Sequence, residues 1–131
     1  MTSASRYLSE HIDVPAGDVY AFTADPANLP AWAPGLATSV TREDGCWRIG
    51  DDGAELVFTP HNELGVLDHW VRPPDGGEVY APMRVIPDGD GAEIMFTLRR
   101  LPGMSDDDFE QDAEAVQADL TRLKEVLESR R

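Results

Sequence analysis

The stretch "SDDDFEQDAEAVQADLTRLKEVLESR" (residues 105–130) decides the fold. Ser105 stands at an N-cap position with Asp108 three residues on, a near capping box that occupies the first unpaired amides of a helix. Phe109, Ala113, Val116, Leu120, Leu123 and Leu127 then recur every three or four residues and form one apolar stripe. Residues 106–119 carry acids and no base, whereas Arg122, Lys124, Arg130 and Arg131 come late, an order that suits both ends of the helix macrodipole. The stripe is too short for a sustained coiled coil. It needs a cover, and a sheet with one apolar face supplies it.

That sheet is legible upstream. Between residues 36 and 101, turn clusters recur at "EDG" (43–45), "GDDG" (50–53), "PHNELG" (60–65), "RPPDGG" (72–77) and "PDGDG" (87–91). Short runs rich in Val, Ile, Phe, Tyr, Trp and Thr lie between them. Connections this short favour antiparallel neighbours. In "AEIMFTLRR" (92–100), Ile94, Phe96 and Leu98 share one face, while Glu93, Thr97 and Arg99 take the other. With a first strand over residues 5–14, the pattern predicts about seven strands.

The segment "DVPAGDVYAFTADPANLPAW" (13–32) joins the first strand to the meander. Val14 is pushed to extended geometry by the proline after it, and Pro15 suits a first helical turn. Val19 and Phe22 share a face of a short helix. Asp25 before Pro26 reads as a second N-cap. A second, very short helix follows and holds Leu29 and Trp32, limited by Pro30 and Pro34.

Composition bounds the function. The 131 residues form one domain, with 41% apolar and 27% charged side chains. The formal net charge of −14 leaves no basic stripe for nucleic acid or for an anionic membrane surface. No apolar run spans a bilayer, and the N-terminus lacks a signal-peptide layout. A single cysteine, Cys46, makes no internal disulfide, so a cytoplasmic address is expected. His11, His61 and His69 lack metal-ligand spacing. There is no nucleophile elbow, P-loop or dinucleotide fingerprint, so no metal or cofactor is expected.

Four stretches, "IDVPAGDVYAFTADPANLPAWAPGL" (12–36), "VLDHWV" (66–71), "APMRVIPDGDGAEIMFTL" (81–98) and "FEQDAEAVQADLTRLKEVLES" (109–129), carry a resemblance over nearly the whole chain. The sequence resembles the SRPBCC, or START-like, superfamily and its polyketide cyclase/dehydrase-like branch. The resemblance implies an α+β helix-grip: a curved seven-stranded antiparallel sheet wrapped on a long C-terminal helix, with two short helices after the first strand. It also implies a cavity between sheet and helix, with the short helices plugging one end and Trp32 at the rim. Phe58, Phe96, Phe109, Ala113, Val116 and Leu120 are then the expected apolar lining.

Which polar side chains enter depends on register, because neighbours on a strand face opposite ways. If residues 87–91 all lie in the loop, Arg84 faces Ile94 and Tyr80 faces Leu98, both inward. A shift of one residue brings Val79, Ala81, Met83 and Val85 inward instead. With residues 72–77 as a six-residue loop, the preferred arrangement gathers His69, Tyr80 and Arg84 and leaves Asp68 exposed. This trio can orient a bound molecule. It also has the acid–base and anion-holding groups for cyclising a poly-ketone. Two readings therefore stand side by side: a carrier or sensor of a small hydrophobic molecule, acidic if Arg84 holds it, and a cyclase-type enzyme. A third assigns protein interaction to the exposed sheet face. A monomer or weak homodimer is expected in each case.

Overall fold

A computed structural model of the chain describes residues 4–130. The order is β1 (Ser5–Ile12), α1 (Ala16–Thr23), a 3-10 turn (Pro26–Asn28), α2 (Leu29–Trp32), β2 (Val40–Glu43), β3 (Cys46–Ile49), β4 (Ala54–Phe58), β5 (His69–Arg72), β6 (Val79–Ala81), β7 (Met83–Asp88), β8 (Gly91–Arg99) and α3 (Asp106–Ser129). All strand pairs are antiparallel, in the orders β1-β8-β7 and β2-β3-β4-β5-β6. The α+β helix-grip expected from the sequence is present.

Local chemistry explains the elements. Ser105 Oγ accepts from the Asp108 amide at 3.1 Å and starts α3. Asp25 Oδ1 accepts from the Ala27 amide at 3.0 Å, with Pro26 behind it at the first position of the 3-10 turn. The β2–β3 hairpin closes on Asp44 and Gly45, both at positive φ (52° and 79°), the conformation a two-residue type I′ turn needs.

The described residues form eight strands, in a three-stranded and a five-stranded sheet, because proline splits one of the expected seven. Pro82 has no N–H to donate, and it separates β6, which pairs with β5, from β7, which pairs with β8. Its carbonyl still accepts from the Thr97 amide at 3.0 Å. The strand therefore continues in space while it changes sheets. Residues 65–67 complete the junction: the Leu67 amide donates to Met83 O at 2.8 Å and the Val85 amide to Gly65 O at 2.9 Å.

α3 lies over the inner face and is fixed along β1. Gln117 Nε2 donates to Ser9 O at 3.2 Å, Thr121 Oγ1 to Glu10 Oε2 at 3.0 Å and Lys124 Nζ to His11 O at 2.8 Å. The Arg6 guanidinium pairs with Glu110. Ala113, Leu120, Leu123 and Leu127 are buried beneath the helix, in a core shared with Ile12, Val19, Leu29, Leu67, Met83 and Ile94.

Gly65 adopts φ 75°, and a Cβ there would stand 2.1 Å from the Val85 carbonyl oxygen. Gly65→Ala combines a left-handed backbone with a main-chain clash and is expected to cost at least about 2 kcal/mol. Urea denaturation checks this, with Gly89→Ala as the control of positive φ in open space.

Candidate ligand-binding site

The β7–β8 turn sets which side chains enter the grip. Asp88 pairs with Gly91, so only Gly89 and Asp90 form the turn, with glycine at positive φ in its first position as a type II′ turn requires. The expected five-residue loop is thus replaced by two residues. Val85 faces Ile94 and Met83 faces Phe96, both inward, while Arg84 faces Met95 on the outer side. After β5 the pairing of Val71 with Val79 leaves seven residues in the loop rather than six, so His69 sits opposite Ala81 and Trp70 opposite Tyr80. Ala81, Met83 and Val85 are buried.

The expected trio is therefore split between two faces. His69 points inward and is only 5% exposed. Tyr80, at 41% exposure, and Arg84 lie on the outer face and do not line the interior. They instead enclose Asp68, which is buried rather than exposed. Asp68 Oδ2 accepts from Tyr80 Oη at 2.7 Å and Arg84 Nη2 at 3.0 Å; Oδ1 accepts from Arg84 Nε at 3.2 Å and from the Met83 amide at 2.9 Å. Trp70 stacks on Tyr80 with ring centroids 5.2 Å apart. Burial alone would raise the Asp68 pKa, but the bonds from Arg84, Tyr80 and the Met83 amide outweigh it and hold the carboxyl below the ordinary value.

Inside the grip, His69 sits between two aromatic rings. Phe58 meets it edge-on at 4.8 Å and Phe96 at 6.4 Å. His69 Nδ1 lies 3.0 Å from Leu67 O, and because a carbonyl only accepts, Nδ1 carries the proton. In the neutral ring Nε2 is then an acceptor, and no described residue donates to it. Burial lowers the His69 pKa, against smaller opposite effects of the Leu67 carbonyl and the Asp68 charge, so the neutral ring is favoured.

Of the other expected lining residues, Phe96 and Val116 pack against the core and Phe58 against the His69 ring. Ala113 and Leu120 are buried, and Phe58, Phe96, Phe109 and Val116 are half-buried. Exposure rises along β8 from Ile94 to Leu98, and across the β5–β6 pair from His69 to Val79 at 41%. The inner face thus opens towards the ends of β6 and β8, beside Phe109 at the start of α3. Trp32 is not at a wet rim. It is 4% exposed, its carbonyl accepts from Arg122 Nη1 at 3.1 Å, and its indole Nε1 is buried with no partner among the described residues. A surface cleft of about 650 Å³ shares none of these residues and lies among Val14, Pro15, Asp18, Phe22, Leu127 and Arg130. Among the described residues no three potential metal ligands cluster, and no helix is long and apolar enough to cross a membrane.

Sequence reasoning held the inward Ala81, Met83 and Val85 as the alternative register rather than the preferred one, and it missed the Asp68 cluster. The dipeptide Gly89-Asp90 was the available signal, since glycine first in a two-residue turn sets the β7 register.

Comparison with solved structures places this architecture. The protein has the helix-grip fold of START-like proteins. A START superfamily protein from Mycobacterium smegmatis aligns over 97% of this chain and 99% of its own, with a TM-score of 0.65 and 12% identity. Ara h 8.0201 aligns over 98% and 99%, with a TM-score of 0.67 and 11% identity. DynU16, from the dynemicin biosynthetic locus, aligns over 97% of this chain and 48% of its own, with a TM-score of 0.70 and 15% identity. At these identities the likeness is one of fold. No family model matches the sequence, and no curated protein matches it.

The depressed His69 pKa has a pH signature. Below about pH 6.5 the unfolded chain gains a proton that the folded chain resists, so this contribution is present above that value and lost as pH falls. The unfolding free energy of the wild type is expected to fall more steeply from pH 7 to pH 5 than that of His69→Leu, by up to ~1.4 kcal/mol per pH unit. Parallel profiles would refute it. Asp68 acts in a lower window, because its pKa is also depressed: its stabilisation is present above about pH 4 and disappears below. Asp68→Asn is expected to cost about 2 kcal/mol at pH 7 and much less at pH 3, measured by thermal unfolding.

Proposed function

We propose that the protein encloses a small apolar molecule between the sheet and α3, as a carrier or sensor. The reading rests on His69. His69 is an otherwise buried ring whose Nε2 is bonded to no described residue yet is not fully buried, so a donor on a bound molecule can reach it, and the ring stands edge-on to half-buried Phe58 and Phe96 on an inner face that opens towards Val79 and Leu98. Apolar walls with a few fixed polar groups are what small-molecule sites are made of.

The cyclase reading has less support. It needs acid, base and anion-holding groups at one reacting centre, and Tyr80 and Arg84 lie on the other side of the sheet from His69. The Trp70–Tyr80 face is already occupied in holding Asp68.

Native mass spectrometry of freshly purified protein, set against its denatured mass of 14.4 kDa, tests the proposal. A discrete excess that disappears on denaturation is expected, and Val116→Trp, which fills the interior from α3, should abolish it. A bare mass, together with no uptake of an apolar fluorescent probe, would count against enclosure.

A further inference from the structure

Resting on that reading, the interior also specifies the ligand's polarity. Two of its polar atoms have no partner among the described residues, Trp32 Nε1, which is fully buried, and His69 Nε2, which is not, and neither is an ion. His69 Nε2 is an acceptor, because Nδ1–H donates a hydrogen bond to Leu67 O at 3.0 Å. Trp32 Nε1 is the one buried side-chain donor or acceptor without a partner among the described residues. Arg6 is committed to Glu110, and Arg122 to Asp119 at 3.0 Å and to Trp32 O; Arg42, which shares the inner face with Trp47, lies over that ring at 5.4 Å on β2, three strands away from His69 on β5. Arg84, the guanidinium that an acidic ligand would require, is tied to Asp68 on the outer face.

A carboxylate held against His69 would lose its hydration with no described cation beside it, which is among the most costly transfers into an apolar interior. It would also set its oxygens against a ring nitrogen that can only accept. A hydroxyl has the opposite fit, since it donates to Nε2 and carries no charge. We propose that the site selects uncharged, hydroxyl-bearing apolar molecules, alcohols or phenols, with the hydroxyl donating to His69 Nε2, and rejects their carboxylate counterparts. Phe58 and Phe96, edge-on to the imidazole, keep that nitrogen in apolar surroundings, where one hydrogen bond discriminates most.

Three probes of similar size test this at pH 7.5: 2-naphthol, naphthalene and 2-naphthoate, titrated into the protein and followed by backbone amide shifts in two-dimensional NMR. The phenol is expected to bind about tenfold more tightly than either of the others, the worth of one hydrogen bond in a buried site, and to shift the His69 Nε2 resonance. His69→Leu should erase the preference for naphthol over naphthalene. His69→Gln, whose side-chain oxygen still accepts, should keep part of it. Naphthoate binding as tightly as naphthol, or a naphthol preference that survives in His69→Leu, would overturn the selectivity while leaving ligand enclosure intact. Failure of all three probes to perturb residues of the inner face would overturn the enclosure reading as well.

Discussion

The Asp68 carboxylate is the constraint on which the rest of the molecule depends. It stands where a single strand leaves one sheet and enters the other, at Pro82, and its four hydrogen bonds reach both sides of that break. Tyr80 precedes the proline on β6; Met83 and Arg84 follow it on β7. Without such a clamp the proline would leave the two sheets joined mainly by the short pairing of residues 65–67 with 83–85. The charge is buried, but it is fully bonded, and that distinguishes a clamp from a liability.

Because Asp68 faces outward, its neighbour His69 must face inward, as side chains alternate along a strand. The polar residue that serves the interior is thus placed by the one that fastens the exterior. The same alternation through β7 sends Arg84 out to Asp68 and Met83 and Val85 into the core. A cluster that looks in sequence like catalytic equipment is divided by the sheet into a structural half and a ligand-facing half. The interior is left apolar, with His69 as its inward polar ring and Trp32 Nε1 as the one fully buried side-chain atom without a partner among the described residues.

α3 closes this interior unevenly. Its C-terminal half is sealed by Leu120, Leu123 and Leu127 against the core, while Phe109 and Val116 stay half-buried where the inner face opens. The polar bonds to β1 run along one edge of the helix, so cover is firm there and looser above β6 and β8. An opening at that end requires no movement of the short helices α1 and α2.

Much of the architecture was settled by the sequence alone, because it is encoded locally. The stripe from Phe109 to Leu127 with Ser105 before it could only be a helix with one face to bury. The prolines at 15, 26 and 30 bounded the short helices, and Asp44-Gly45 closed a hairpin. The fold class followed, since one amphipathic helix and a one-faced meander have few ways to cover each other. The inward and outward faces of β6 and β7 were decided by tertiary structure. They turn on an odd change of loop length at either end, six residues to seven after β5 and five to two after β7, a difference that composition does not register and that reverses every side chain in the strand. The burial of Trp32 and the enclosure of Asp68 belong to the same class: each depends on partners far along the chain, Arg122 for one and Arg84 for the other, brought together only when the sheet closes around α3.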